Sequence, residues 1–520
     1  MIKKKRSLIK ACLQFLFALV ALATTVFFAG AYWPLVMPEV AAGPGRLLLT
    51  NVAVVDVESG NVTIGQSVLI ENGHIATIDS NIPADGTQVV DGHGRFVIPG
   101  LFDMHAHSIK MAPALSHPLF VAAGVTAIRD MGGCIGSKDA WVACAEDKHR
   151  WNRMVRDGQM VGPRYDQITS LAINGGSEIP DGMEESLGAG SAEGAIRRVE
   201  LDKARGIDFL KTYTLLPRDG YFALAEAAQK EGMYLAGHLP LSVNAQEAVA
   251  AGQRSFEHAF LFIWDCYPGM APLRDSNDPS ALFTNELRAK MIAEHDAALC
   301  STLHQSMIAA GAAFVPTHTT RKLDAYAADE TFISDERLKF IPAPLRMLWL
   351  EDAANMAQRA GEGGAESYRV FYEFGIRQTG IAHRSGVTVL AGTDAPDSFA
   401  FPGSGQYDEL DHFTRAGLSP LESLRAATLV PAKFLGLEGK AGVIKAGARA
   451  DMVLLNANPL LDIQAVRDVD AVVLAGHFYD RSALDQMLAG AERAAGSWSM
   501  WPKFAWQILR SPIMKKQFTD

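Results

Sequence analysis

The sequence predicts an α/β fold: a TIM (β/α)8 barrel with a small β-sandwich domain built from both ends of the chain, plus an N-terminal transmembrane helix. Three observations support this fold class. Apolar strand-like runs alternate with helical patterns eight times through the middle of the chain. β-rich stretches with turn residues lie on both sides of that middle. A long uncharged segment follows a basic N-terminus.

Residues 1–40 form the predicted membrane segment. They begin with the basic "MIKKKRSLIK" and continue through residues 11–37 without a charged residue. A helix of this length spans a bilayer core of roughly 30 Å, and the basic end is expected to stay in the cytoplasm. A cleaved signal peptide is the alternative, with Ala29–Ala31 as a small-residue cleavage site. Both interpretations place the catalytic domain outside the cytoplasm (periplasmic in a bacterium): anchored in the first case, secreted in the second.

The predicted β-sandwich combines residues 46–97 with residues 440–480. The first part reads as short strands separated by turns at "SGN" and "ENG". The second part contains the strand-like runs "ADMVLL" and "VDAVVLAG". The simplest packing for two β-rich ends around a different middle is one small shared domain.

Residues 98–439 form the predicted barrel. Its strand-like runs include "FVIPGLFDMHAH", "DFLKTYT", "YLAGHLP" and "VTVLAGTDA", and segments such as "GYFALAEAAQKEG" between them have helical apolar spacing. A doubly wound open sheet is the alternative, but no G-x-G-x-x-G follows the first strand. Residues 261–313 are an elaboration suited to a lid or substrate wall. The tail, residues 481–520, is rich in Trp and basic residues, and either lies at a membrane interface or packs against the body.

The overall composition limits the kinds of molecule that the protein is expected to bind. The 520 residues carry a net charge of −10 without a long basic block, which argues against nucleic acid as the main partner. Five cysteines match no zinc-binding spacing. Cys134 and Cys144 either form a disulfide or remain two free thiols. A small-molecule substrate is the expected partner, and a homo-oligomer is left open.

Metal-ligating side chains recur at predicted strand ends. His105 and His107 end the first strand, His238 ends the fifth, His258 lies on the sixth, and Asp394 ends the eighth. Catalytic groups of a barrel sit at the carboxyl ends of its strands, and alternate strand residues share a face. Imidazole and carboxylate are good ligands for zinc and related divalent ions. The pattern therefore predicts a metal site at the barrel mouth.

Lys211, on the fourth strand, extends this set. An ammonium cannot bind a cation, so Lys211 must be neutral, which burial beside metal charge favours. A neutral amine takes up carbon dioxide to form a carbamate, whose two oxygens bridge two metals. The alternative is a salt bridge to an acidic neighbour. Tyr213 shares the face of Lys211 and either hydrogen-bonds a reacting carbonyl or packs.

Two further polar residues are candidates for binding substrate. His318 lies near the end of the seventh strand and either contacts substrate or is a polar loop residue. Arg129 either pairs with its neighbour Asp130 or binds a substrate carboxylate.

Taken together, these motifs resemble the amidohydrolase superfamily. The resemblance is carried by "VIPGLFDMHAH", "DFLKTYT", "GHLP", "FEHAF", "AGTDA" and the trailing "GLSPLESLRAATLVPAKFLGLEGKAGVIKAGARADMVLL". It extends from about Arg46 to Asp480. Within the superfamily the chain is most similar to the imidazolonepropionase-like group, which includes metal-dependent Xaa-Pro and Xaa-Arg dipeptidases and ochratoxin-type amidases.

The resemblance implies a binuclear centre with two divalent metal ions, zinc being the expected metal. His105, His107 and Asp394 would bind the buried ion, and His238 and His258 the more exposed one. Carboxylated Lys211 would bridge the two ions. A metal-bridged hydroxide would then attack the substrate, with Asp394 moving the proton to the leaving amine.

The predicted function is hydrolysis of an amide (C–N) bond in a small peptide-like or N-acyl substrate, as in a dipeptidase. The alternatives are another bond type on the same barrel (cyclic amide, phosphotriester or deamination) and a non-catalytic binding protein. Two departures from relatives, Ser177 and His318, fall at positions that shape the substrate pocket. Because of these departures, the resemblance does not identify the substrate.

Overall fold

The computed structural model describes residues 2–41, 43, 45–134, 139–175, 179, 188–189, 191–274, 284–361 and 363–511. The strands are β1 (Arg46–Val55), β2 (Val62–Glu71), β3 (His74–Asp79), β4 (Gln88–Asp91), β5 (Phe96–Pro99), β6 (Leu101–Ala106), β7 (Val125–Asp130), β8 (Arg164–Ile168), β9 (Leu210–Thr212), β10 (Leu235–Gly237), β11 (Gln253–Glu257), β12 (Ala313–Val315), β13 (Thr388–Val389), β14 (Met452–Leu455), β15 (Val469–Leu474) and β16 (His477–Tyr479). The helices are α1 (Ile2–Tyr32), α2 (Ser116–Ala122), α3 (Ala145–Arg156), α4 (Ala192–Ala204), α5 (Arg218–Lys230), α6 (Ala245–Ala250), α7 (Leu261–Asp265), α8 (Met270–Arg274), α9 (Asn285–Ala293), α10 (Ala297–Ala310), α11 (His318–Tyr326), α12 (Glu330–Ile333), α13 (Ala343–Ala360), α14 (Gly364–Ser385), α15 (Gly405–Ala416), α16 (Pro420–Ala426), α17 (Leu429–Phe434), α18 (Arg481–Ala495) and α19 (Met500–Arg510).

Strands from both ends of the chain share one mixed sheet of eight strands. Its order is β16-β15-β14-β5-β1-β2-β3, with β4 paired to β1. The two ends meet where β14 runs antiparallel to β5, with Met452 opposite Pro99. Leu47, Leu49 and Val52 of β1 are fully buried, so this sheet has its own apolar core. The hydrogen bonding joins all eight strands in one sheet rather than in two separately bonded layers.

The middle strands run parallel in two groups. One sheet has the order β6-β7-β8 and the other β13-β12-β11-β10-β9. Every residue of β6 and β7 is buried. Burial on both faces is typical of parallel strands covered by helices, and it explains why these segments read as continuous apolar runs.

Backbone hydrogen bonds join the two parallel sheets at both junctions. Between β8 and β9, Ser170 N donates to Phe209 O at 3.2 Å. Between β13 and β6, Met104 N donates to Ala391 O at 2.8 Å, and His107 N donates to Ala395 O at 2.7 Å. The carboxyl ends of β6, β9, β10, β11 and β13 therefore lie at one end of the same strand assembly.

Two disulfides fix loops around that assembly. Cys134 is bonded to Cys144, which decides between the two alternatives left by the sequence. A second disulfide joins Cys266 to Cys300, 34 residues apart. This second bond ties the residue that follows α7 to α10, so it cross-links two parts of the 261–313 elaboration.

The N-terminal helix stands out from the body. Its segment Ile9–Tyr32 has a mean hydropathy of 2.2 and is exposed over most of its length, although Gly30 near its end is buried. By length and composition this helix is able to cross a membrane, although a signal sequence shares these properties. The far end of the chain, α19, packs against the last turns of α1.

Candidate metal centre

The first group of the site joins the end of β6 to the loop after β13. His105 Nε2 lies 3.1 Å from Asp394 Oδ1, and His107 Nε2 lies 2.8 Å from the same oxygen. Burial opposes ionisation of Asp394, but the charge and hydrogen bonds of His105 and His107 hold its pKa well below the usual range. Two imidazoles and one carboxylate therefore converge on one point.

Lys211 of β9 lies beside this group. Its Nζ is 3.5 Å from His107 Nε2 and 5.9 Å from the centre of the Tyr213 ring. Burial lowers the pKa of Lys211, although Asp394 and Glu257 oppose that shift. The contact of Nζ is to an imidazole nitrogen of the first group, and β9 pairs with β10, the strand that precedes His238.

The second group consists of two histidines from β10 and β11. His238 Nε2 and His258 Nε2 are 2.8 Å apart. A hydroxyl holds each remaining nitrogen: Thr214 Oγ1 is 2.9 Å from His238 Nδ1, and Thr317 Oγ1 is 2.8 Å from His258 Nδ1. Burial lowers the pKa of both imidazoles well below the usual value. Donation from both Nδ1 atoms to threonine would leave both Nε2 lone pairs facing the same space, an arrangement that a cation stabilises.

Backbone conformation at the site is unusual. His258 has φ +73°, Asp394 has φ +65° and Thr317 has φ +45°. Non-glycine residues in this left-handed region cost about 1–3 kcal/mol each and cluster at functional sites. Gly237, directly before His238, has φ +116°, and a Cβ there would lie 2.6 Å from Thr212 O. The backbone at these strand ends therefore adopts an unfavourable conformation that sets the direction of the His258 and Asp394 side chains.

A buried ion pair lies beneath His105, and sequence reasoning missed its central member, Glu257. Glu257 Oε2 is 2.8 Å from His105 Nδ1, and its Oε1 accepts from Arg129 Nη2 at 2.8 Å. Arg129 also donates to Met104 O at 2.8 Å. The side chains of His105, Glu257 and Arg129 are all fully buried. An acidic residue directly before a histidine on an apolar strand, as in "SFEHAF", was the available sequence signal.

The sequence allows two roles for Arg129, binding a substrate carboxylate or pairing with Asp130, and the position of its guanidinium fits neither. Its guanidinium lies under the histidines rather than at the rim, so it is not positioned to bind a substrate carboxylate. Nor does it pair with Asp130, whose carboxylate instead accepts from Lys148 Nζ at 2.7 Å. Arg129 is therefore a structural partner of Glu257.

A second missed residue, Asp103, links β6 to the loop that carries Asp394. Asp103 accepts from Thr393 Oγ1 at 2.6 Å and from the backbone N of Thr393 at 3.0 Å. It also accepts from His105 N at 3.1 Å. Burial raises the pKa of Asp103 to about 7. Through these contacts Asp103 holds His105 and Thr393, the residue before Asp394, in register.

The remaining predicted contacts fall in three different places. Tyr213 lies over His238, with ring centres 4.1 Å apart, at the mouth of the site. His318 does not reach the mouth: its ring is buried among helices, and its Nε2 lies 2.9 Å from Thr379 Oγ1 of α14. The predicted substrate contact of His318 is thus not supported, because the left-handed turn at Thr317 directs the ring away. Ser177 lies outside the described residues.

Two buried histidines away from the site predict acid sensitivity. Burial lowers the pKa of His117 and of His318 to about 3 each. Unfolded, each histidine titrates near 6.5, so between about pH 6.5 and 3 the unfolded chain binds more protons than the folded chain. The free energy of unfolding should fall by about 1.4 kcal/mol per pH unit and per histidine as pH drops through this window. Urea unfolding at several pH values measures how the free energy of unfolding depends on pH. His117→Phe removes one of the two histidines, so the slope should fall by about 1.4 kcal/mol per pH unit. Equal slopes in both proteins would contradict the assignment.

The donor set fits a metal ion. His105 Nε2 is buried and faces Asp394 Oδ1 at 3.1 Å, so an imidazole nitrogen and a carboxylate oxygen are both directed at one point. Ligand atoms of His105, His258 and Asp394 all lie within 4.8 Å of one another. A second group, Cys266, His295 and Cys300, is equally close, but its two sulfurs are committed to a disulfide. The histidine–aspartate group is therefore the better candidate for a metal site.

Comparison with known proteins agrees with this class of site. Residues 214–478 match the model of the amidohydrolase family. The chain belongs to the amidohydrolase family, whose members are hydrolases that are generally metal-dependent.

Curated relatives match shorter segments. An adenine deaminase of Shewanella halifaxensis is 31% identical over 140 residues, covering 25% of this chain and 23% of that protein. An imidazolonepropionase of Rubrobacter xylanophilus is 59% identical over 44 residues, covering 8% of this chain and 11% of that protein. The chain therefore matches less than a quarter of the length of these relatives.

Solved structures match over most of the chain. A bottromycin amidohydrolase superposes with a TM-score of 0.67 at 22% identity, covering 87% of this chain and 91% of that chain. A Xaa-Pro dipeptidase with bound methionine superposes with a TM-score of 0.57 at 20% identity, covering 84% and 100%. At these identities the likeness establishes a shared fold.

Proposed function

We propose that the protein hydrolyses an amide C–N bond in a small peptide-like or N-acyl compound, using two divalent metal ions at the mouth of a closed (β/α)8 barrel. The observation that carries the proposal is the position of Lys211. It lies beside His107, whose Nε2 also contacts Asp394, and it is on the strand paired with the one that precedes His238. A lysine there supports two ions rather than one, because its carbamate would supply a bridging ligand.

Six side chains would hold the two ions. They are His105, His107 and Asp394 for the first ion, His238 and His258 for the second, and carboxylated Lys211 for both. Zinc is the metal proposed, since imidazole and carboxylate oxygens are among its usual ligands. When bound, the pair of ions supplies activation of a water molecule and polarisation of the scissile carbonyl.

The chain's own residues would position the substrate and move the proton. The low pKa of Asp394 keeps its carboxylate ionised at neutral pH, the form that accepts a proton. Its Oδ2 is directed to the second group, 3.7 Å from His258 Nδ1. Asp394 would take the proton from the attacking water and deliver it to the leaving amine. Tyr213, whose ring is tilted against that of His238, would donate a hydrogen bond to the carbonyl oxygen as negative charge develops there.

Deamination is the second candidate, because the 140-residue similarity to an adenine deaminase favours it. The two reactions differ in their products. Amide hydrolysis releases an amine together with a carboxylate, whereas deamination releases ammonia. The lysine beside His107 supports the first reaction, since mononuclear deaminases of the superfamily that the sequence resembles generally lack it as a ligand.

The experiment that tests this function is reconstitution of the chelator-stripped, full-length protein with Zn²⁺. We expect nearly two ions per chain by elemental analysis, a higher thermal unfolding midpoint on metal binding, and amine release from a panel of dipeptides and N-acyl amino acids. His238→Ala should lower the metal content to about one ion per chain, and the exposed His93→Ala serves as the matched control. A folded protein that binds no metal after saturation would overturn the proposal.

Membrane anchorage by α1, with the catalytic domain outside the cytoplasm, is the proposed location. Two disulfides support an oxidising compartment. Lys503 Nζ donates to Ala31 O at 3.2 Å, and the Trp506 ring lies 5.1 Å from Phe28. These contacts would be lost if the helix were cleaved near Ala31, so they support a retained helix.

A further inference from the structure

Helix α19 covers the end of α1 that leaves the apolar span. Its Trp506 contacts Phe27, Phe28 and Tyr32, with ring centres 5.1 to 6.4 Å apart. Just before α19, Trp498 lies 6.0 Å from Trp33. The first and last helices of the chain are thus fastened together at the point where α1 meets the body.

The opposite side of α19 is attached to the catalytic end of the strands. Phe504 packs edge-on against Trp141 in the loop after β7, with ring centres 4.6 Å apart. At the end of the helix, Ser511 Oγ is 3.0 Å from Asp139 Oδ2 in the same loop. Met111, four residues after His107, belongs to the same apolar cluster as Phe504. The end of the barrel that carries the candidate ligands is therefore the end joined to α1.

A set of large apolar side chains remains in solvent around this junction. We call these residues the collar: Trp33 (52% exposed), Val36 (82%), Trp498 (52%), Trp501 (51%) and Leu509 (57%). They continue the exposed apolar surface of α1, whose membrane-length segment is exposed over most of its length. Arg510 lies over the Trp506 ring at 5.5 Å beside them. Exposed tryptophan with a neighbouring cation, at the end of an apolar span, is the composition favoured at a membrane–water interface.

We infer that the collar lies in the headgroup region of the bilayer and thereby turns the catalytic end of the body toward the membrane surface. This inference rests on the proposed membrane anchorage by α1. A lipid surface is the occupant because the collar is continuous with α1, and a spanning α1 would bring the collar to the interface at its exit. Without a membrane, the apolar side chains of the collar would be exposed to water, and large exposed apolar patches are uncommon in soluble proteins.

Spin labelling of the full-length protein in phosphatidylcholine nanodiscs tests the collar. Labels at Trp501→Cys and Leu509→Cys, each in a Cys12→Ala background, are compared with a label at Leu461→Cys. Leu461 is the matched control, since it is 82% exposed but lies in the connection after β14. The label on native Cys12, the free cysteine among the described residues, reports on α1 separately. Collisional broadening by oxygen and by a water-soluble nickel chelate measures lipid against water exposure.

We expect the labels at 501, 509 and Cys12 to be reached more readily by oxygen than by nickel, and the label at 461 to show the reverse. If the labels at 501 and 509 were as exposed to nickel as the label at 461, while the Cys12 label was reached by oxygen, the proposed membrane contact of the collar would be wrong. The proposed anchorage by α1 would still hold. Labels at 501 and 509 shielded from both reagents would also overturn it, since a protein partner would then cover the surface. A water-exposed Cys12 would overturn the anchor and the collar together.

Discussion

Replacing Lys211 with alanine is expected to reduce hydrolysis by about 10³-fold or more and to lower metal content below two ions per chain. The expected loss follows from removing both a bridging ligand and the charge stabilisation that depends on the second ion, together worth about 4 kcal/mol or more of the barrier. Steady-state kinetics with elemental analysis of the same sample measures both effects. Lys230→Ala, at an exposed lysine paired with Glu226, is the matched control.

The carbamate can be tested apart from the lysine itself. A short carboxylate such as acetate would occupy the space left by Lys211→Ala and partly restore activity and metal binding. Lys211→Arg, which keeps a positive charge and forms no carbamate, should remain inactive. Unchanged kinetics in Lys211→Ala would show that the binuclear assignment is wrong.

Replacing Glu257 with alanine is expected to lower the free energy of unfolding by about 3–5 kcal/mol, because it leaves Arg129 charged, buried and without its carboxylate partner. The same change frees His105 Nδ1, so metal affinity should also fall by about 10- to 100-fold. Chemical denaturation and competitive metal titration measure the two losses independently.

Three companion variants identify the cause. Glu257→Gln keeps a hydrogen-bonding group and should lose less stability than Glu257→Ala. The double variant Arg129→Met, Glu257→Leu removes both charges and should recover part of the stability while metal affinity stays low. Glu226→Ala, at an exposed carboxylate, should leave the unfolding midpoint unchanged. A wild-type midpoint in Glu257→Ala would contradict the buried-pair argument.

The strand ends were the part of the site that the sequence could predict. Each candidate ligand follows an apolar run, and parallel strands bring their carboxyl ends to one side of the assembly. His105 and His107 converge on Asp394 because alternate strand residues share a face. The same rule predicts Lys211 on this side of the assembly, and its Nζ lies 3.5 Å from His107 Nε2. No local signal in "DFLKTYT" distinguishes a ligand from an ordinary buried lysine.

The orientation of residues near the strand ends was less predictable. Arg129 has the charge of a substrate-binding residue, but its position within β7 directs it inward to Glu257. His318 follows a left-handed Thr317, and one positive φ turns its ring toward α14. A pattern of residue types does not encode such single-residue changes of direction. The bond between Cys266 and Cys300 was likewise hidden, since it depends on how the elaboration folds back on α7.

The eight-stranded sheet also constrains the order in which the protein can be made. Strand β5 hydrogen-bonds to β14, which is synthesised some 350 residues later. Until β14 has been synthesised, the edge of β5 has no strand to complete it, and the first five strands hold only part of their apolar core. A chain that is synthesised from its N-terminus must therefore keep this edge from aggregating until β14 is available. The sheet closes last, so completion of the fold is delayed until nearly the whole chain has been synthesised.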